Sequence, residues 1–103
     1  MSLTQEEAFA RIRLLRSPNI GPVSFRQLLR RFGNAVAALE ALPDLAARGT
    51  REYRAAPLDR IEREVEAVRA AGARYLFHDM ADYPAQLAAM ESAPPIVTFR
   101  GNL

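Results

Sequence analysis

The chain has 103 residues, half of them hydrophobic and a quarter charged, with a formal charge of +2; this suits one compact globular domain, too small to enclose a large active site. It has no cysteine, which excludes disulfides, thiolate chemistry and cysteine-based zinc sites, and its 14 basic residues are all arginine, which excludes a Walker or Schiff-base lysine. No run approaches the ~18 apolar residues of a membrane span, and the acidic start Thr4-Gln5-Glu6-Glu7 is unlike a signal peptide, so a cytoplasmic location is expected.

Thr4 and Glu7 have the spacing of a capping box, and Ala8, Ile12 and Leu15 then recur at helical spacing. This first helix is expected to end near Arg16, because Pro18 pushes Ser17 out of the helical region. After the hairpin Pro18-Asn19-Ile20-Gly21 a second helix opens at Pro22, buries Leu28, Leu29 and Phe32, and ends at Gly33 as a left-handed cap. Asn34 is the expected N-cap of a third, alanine-rich helix through Leu42, with Pro43 starting a separate short turn that carries Leu45. Residues Arg48 to Ala56 are polar, contain Gly49 and read as a connector.

Pro57 to Ala71 has one apolar stripe of Leu58, Ile61, Val65 and Val68, with Gly72 as its cap. The period then changes. Arg74 to His78 is short, aromatic-rich and strand-like, Asp82 is placed to cap a brief helix from Pro84 to Met90, and Ile96 to Phe99 reads as a second strand after Pro94-Pro95. Two strands with a helix between them predict a βαβ crossover. Two strands alone do not make a stable sheet, so the C-terminal third is expected to open a larger α/β domain continuing past Leu103. The apolar residues of such an edge are expected to need cover from elsewhere.

The layout from Ser17 to Gly33 is that of a helix-hairpin-helix, which holds a phosphate on backbone N–H groups without reading bases. The first N–H groups of the second helix have no intrahelical partner, and the helix dipole is positive there. Ile20 is the expected inward plug of the hairpin, and Gly21 the residue giving the turn its backbone freedom. Three positions depart from the general pattern. Asn19 stands where the first glycine is usual, which positive φ tolerates. Ser17 replaces a leucine-like residue, and Phe25 replaces the small residue at the helix crossing. Pro22 also removes one donor, and no basic residue stands at the helix start. The hairpin therefore has two readings, a DNA contact or a packing element alone.

Charge favours the first of these at one end of the chain. Residues 11–54 hold nine arginines against Glu40, Asp44 and Glu52, a balance of +6, whereas residues 55–103 hold five against seven acids, a balance of −2. A basic front half fits a polyanion, and equally a solvated arginine-rich surface. The candidate DNA-binding residues are Gly21 for close backbone approach, Ser24 as a phosphate donor, and Arg26, Arg30 and Arg31 for charge. Arg26 and Arg30 share a helix face, with Arg31 about 100° round from Arg30.

Other constellations carry no chemistry. Asp59 with Arg63, and Arg60 with Glu64, have the spacing of exposed helix pairs. His78 is the only histidine, with no second histidine or cysteine to share a metal, and reads as structural or exposed. Ser24 has no nearby base, so its hydroxyl is a helix-start hydrogen-bonder rather than a nucleophile. Tyr75, Phe77 and Phe99 alternate along short strands and read as core rather than as base-stacking aromatics. Tyr83-Pro84 is read as the anchor of the short helix. The chain is expected to be a non-enzyme with no cofactor and no metal.

Two segments together resemble the bacterial DNA-processing protein A family (DprA, also called Smf). The first is Ile20-Gly21-Pro22-Val23-Ser24-Phe25-Arg26-Gln27-Leu28-Leu29 with the closing Phe32-Gly33. The second is Asp82-Tyr83-Pro84-Ala85-Gln86-Leu87, followed by Ala93-Pro94-Pro95-Ile96-Val97 and Arg100-Gly101-Asn102. The resemblance implies a mainly α fold, a SAM-like helix-hairpin-helix bundle over residues 1–56. Residues 57–103 then give the helix and βαβ segment that open a Rossmann-type domain. It implies a non-catalytic factor that binds single-stranded DNA, loads the recombinase RecA and protects incoming DNA in natural transformation. The main DNA groove of the family lies in the Rossmann-type domain, so this chain is expected to keep an accessory surface. The alternative is a protein-interaction module whose hairpin mediates self-association, as a homo-oligomer, or docking to a partner. A weaker third is an accessory domain of a nuclease or ligase.

Overall fold

A computed structural model describes residues 4–48, 54–80, 83–89 and 94–100. In chain order these form α1 (Gln5–Arg16), α2 (Pro22–Phe32), α3 (Ala35–Ala47), α4 (Leu58–Ala70), β1 (Ala73–Phe77), α5 (Ala85–Ala88) and β2 (Ile96–Arg100). Gly49, the Asp82 cap, Met90, Ala93 and the Gly101-Asn102 end of the second motif lie outside the described residues.

The helix boundaries follow local chemistry. Thr4 Oγ1 accepts from the Glu7 N–H at 3.0 Å, and α1 stops where Ser17, before Pro18, turns extended at φ −72°, ψ 143°. The positive φ of the hairpin falls on Asn19, at 67°. Gly21 is extended at φ −97°, so the turn's conformational freedom resides in Asn19 and not, as expected, in Gly21. Pro22 stands at the first position of α2, and Gly33 ends it at φ 89°. The helix expected to break at Pro43 instead runs unbroken to Ala47. The packing of Leu42 and Leu45 on either side of the exposed Pro43 carries the helix through it.

The helices share one core. Ile12, Leu14, Ile20, Phe25, Leu42 and Ile61 are all buried in it, together with Phe77 of β1 and Ile96 of β2. Ile20 is the plug its place in the hairpin predicts. Leu15, Leu29 and Phe32 are only partly buried against this cluster. α1 touches α2, α3 and α4, which explains why its buried residues extend beyond the expected stripe of Ala8, Ile12 and Leu15 to Ala10 and Leu14. Leu58, placed on the stripe of α4, is exposed at its first turn. Ser17 is buried, and its Oγ donates to the Arg13 carbonyl at 2.8 Å while accepting from the Ala56 N–H at 2.9 Å. A polar residue at the leucine-like position thus ties the hairpin to the segment entering α4.

The two strands are extended where the sequence places them, but they pair antiparallel, with Phe77 opposite Ile96 and Ala73 opposite Arg100. The expected parallel βαβ crossover is therefore not formed. The helix between the strands has four residues, about 6 Å of rise. A parallel return must traverse the full strand, roughly 17 Å for five residues. The chain instead turns back beside the end of β1, where the His78 N–H donates to the Pro95 carbonyl at 2.9 Å. Tyr83, whose hydroxyl donates to the Pro94 carbonyl at 2.6 Å, pins this turn. Leu76 and Phe77 are buried, so less apolar strand surface is bare than an open edge would leave.

A polar relay joins the helices to the sheet. Arg11 is buried in the middle of α1. Its Nη1 and Nη2 donate to the two carboxylate oxygens of Asp79 at 2.7 and 2.9 Å, and its Nε donates to Glu7 at 3.1 Å. The guanidinium also lies 5.6 Å from the centre of the Phe77 ring. Glu7 does not complete a capping box on α1; its carboxylate accepts from the N–H groups of Ala35 and Val36 at the start of α3. On the other side, Glu64 accepts from Arg16 Nε at 2.8 Å and from the Tyr75 hydroxyl at 2.7 Å. The expected Arg60–Glu64 pair thus gives way to a contact across elements, whereas Asp59 and Arg63 do pair at 3.6 Å on the surface.

Two consequences are measurable. Phe25 is fully buried, while Val23 on the same helix is 67% exposed. Phe25→Ala should lower unfolding stability by about 3–5 kcal/mol in denaturant titration, and Val23→Ala by well under 1 kcal/mol. The hydrogen bonds from Arg11 hold the Asp79 carboxyl below its ordinary value against the opposing effect of burial. A carboxyl depressed in the folded state stabilises at pH values above the unfolded value of about 3.9, and this contribution is lost as pH falls through the folded value. The stability difference between the parent chain and Asp79→Asn should therefore be constant above about pH 5 and shrink steadily below it, as read from denaturant titrations at each pH.

Candidate nucleic-acid interface

The basic front half is less free than its composition implies. Arg11 is held by Glu7 and Asp79, Arg13 Nε donates to the Ala56 carbonyl at 2.8 Å, and Arg16 pairs with Glu64. All three arginines of α1 thus tie elements together, Arg16 at the surface. α2 carries Arg26, Arg30 and Arg31 and no acidic residue of its own.

The helix N-termini differ in the same direction. α1 has Glu6 and Glu7 in its first turn, and α4 has Asp59. α3 is capped by Asn34, whose Oδ1 accepts from the Ala37 N–H at 2.8 Å, and its first N–H groups hold the Glu7 carboxylate. An internal anion already fills the place where a phosphate could sit. The start of α2 has no side-chain cap and no acid. Pro22 offers no N–H, and the Phe25 N–H donates to the Gly21 carbonyl at 2.9 Å, which leaves the N–H groups of Val23 and Ser24 ahead of the intrahelical ladder.

Four of the five residues singled out from sequence fall in two groups. Gly21 and Ser24 lie at the start of α2, Gly21 exposed and Ser24 half-buried. A Cβ on Gly21 would meet no atom within 4 Å, so the backbone there is open to close approach. Arg26 and Arg30, one turn apart, line a shallow groove of about 390 Å³ together with Leu29 and His78. Ser24 and Arg30 are separated by about 9 Å of helix rise, so the two groups form neighbouring contacts along one helix. Arg31 is exposed and lies apart from the groove, its guanidinium 5.1 Å from the centre of the Phe32 ring.

His78 is the groove residue that sequence reasoning set aside. It follows β1 directly and packs edge-on against Phe25, ring centres 6.4 Å apart at 82°. Its place beside α2 depends on strand-to-helix packing, which periodicity does not encode. The one available signal was its position as a lone polar residue closing an aromatic strand. Among the described residues, no three His, Asp or Glu side chains gather where a metal ion could be held, and no helix is long and apolar enough to cross a membrane. The arrangement is suited to holding anions through arginine and backbone donors.

Comparison with curated proteins gave no match. Comparison with family models matched the DprA-like N-terminal HHH domain over residues 5–67, more than half of the chain. The matched stretch begins with α1 and contains the hairpin, α2, α3 and most of α4. It includes the first of the two motifs, with Phe25 at the helix crossing and Asn19 in the turn, and on this ground the chain belongs to the family of DprA-like N-terminal HHH domains.

Proposed function

We propose that this chain is the accessory N-terminal part of a non-catalytic DNA-processing factor, contacting single-stranded DNA through α2. The observation that carries this reading is the composition and start of α2: three arginines, no acid of its own, and an N-terminus without a side-chain cap beside an open glycine. The contacts are to phosphate, so binding has no sequence preference and weakens with salt. By the family resemblance, the main DNA groove belongs to the Rossmann-type domain and the whole protein loads the recombinase RecA in natural transformation, which α2 would assist by holding the strand. A second reading, docking of a protein partner, is favoured by an apolar cleft of about 400 Å³ between α1, α4 and β1, lined by Phe9, Ile12, Val65 and Tyr75 among others.

The test is titration of labelled oligo-dT at low and moderate salt. Arg26→Ala/Arg30→Ala should weaken binding about tenfold or more and flatten the log–log salt slope by roughly 1.4, the value for two lost single-strand phosphate contacts. Gly21→Ala fits the observed φ and adds no clash, but Ala is the poorer N-cap, so stability should change by less than about 1 kcal/mol, while affinity should fall as the added Cβ keeps the phosphate from the backbone. Equal affinity of the parent chain and the double variant would overturn the reading and leave partner docking ahead.

A further inference from the structure

The groove beside α2 contains a feature that charge alone does not explain. His78 lines it with Arg26, Leu29 and Arg30, and the imidazole Nδ1 is buried without a hydrogen-bond partner. A buried donor left unmade costs more than an idle lone pair on a ring nitrogen. The tautomer that fits this burial has its proton on Nε2, which makes the other end of the imidazole a donor. The edge contact with Phe25 holds the ring in place from the core side. The nearby acid, Asp79, is engaged on both oxygens by Arg11, so its charge is matched and does not oppose an anion in the groove.

Building on the DNA-contact reading above, we propose that this groove is a phosphodiester subsite in which His78, from the turn after β1, joins Arg26 and Arg30 of α2 as a third donor. The site then draws on both the hairpin and the sheet, and takes one backbone phosphate, with Leu29 against the adjoining sugar. Such a site reads no base, in keeping with contacts that position a strand rather than specify its sequence.

The single histidine makes the test direct. Labelled oligo-dT is titrated into the parent chain and into His78→Phe, which keeps a ring against Phe25 but has no donor, and His78→Gln, whose amide nitrogen replaces Nε2. The imidazole proton resonances are followed in parallel with oligo-dT and with inorganic phosphate. The expected result is about fivefold weaker binding by His78→Phe, near-parental binding by His78→Gln, and a saturable shift of the imidazole resonances with oligo-dT. Parental affinity in His78→Phe, with binding still lost in Arg26→Ala/Arg30→Ala, would overturn the subsite and leave the DNA-contact reading standing. Absence of oligo-dT binding by the parent chain at low salt would overturn both. Imidazole shifts with inorganic phosphate but not with oligo-dT would also overturn it, marking a site for free phosphate.

Discussion

One buried guanidinium organises this fold. Arg11 sits in the middle of α1, and its planar fork reaches the carboxylate at the end of β1 with two nitrogens and the carboxylate of Glu7 with the third. Lysine could not hold both partners, because a single ammonium has neither the span nor the fixed directions. Desolvation alone would lower the pKa of Arg11, but its two carboxylates outweigh it and raise the group further, so the charge is permanent. Because Glu7 in turn holds the first N–H groups of α3, the position of β1 and the start of α3 are set through the same side chain. Removing it would strand two carboxylates in partly buried surroundings.

The same relay sorts the helix termini by electrostatic role. A carboxylate at the start of α3 satisfies the orphan donors there and cancels the local dipole. What remains positive is α2, which no acid of its own balances. A second relay, Arg16–Glu64–Tyr75, closes the other side of α1. Burial would raise the Glu64 carboxyl, but its hydrogen bonds from Arg16 and Tyr75 together hold it low, and burial followed by the same carboxylate pushes the Tyr75 phenol up. Charges of α1 that a composition count assigns to a free basic surface thus serve as struts between elements. The arginines of α2 stand on a helix with no acid of its own.

Local chemistry in the sequence was legible, and tertiary chemistry was not. Caps at Thr4, Gly33 and Asn34, the plug at Ile20 and both strands follow from side-chain type and spacing, which act within one turn or one pleat. The contacts of Glu7 with Ala35 and Val36, of Arg11 with Asp79 and of Glu64 with Arg16 span 28 to 68 residues, and no local spacing announces them. Glu7 keeps its helix neighbour Arg11 and reaches a distant helix start as well, whereas Glu64 takes the distant Arg16 in place of Arg60. Strand direction also escaped, since two strands and a short helix are compatible with either sense until the length of the connection is weighed. Of the candidate interface, Arg26 and Arg30 could be paired by the helical period. His78 joins them only through the packing of β1 on the helical core.

The Glu7 contact also bears on how the molecule opens. The amides of Ala35 and Val36 begin a helix, where N–H groups ordinarily face water and exchange their hydrogens freely. Here they are bonded to a side chain of another helix, so their release requires α1 and α3 to part and not mere fraying of a terminus. That places the first turn of α3 in the same cooperative opening unit as the centre of α1 and the end of β1. A helix start, normally the loosest part of a helical domain, becomes a reporter of its global stability.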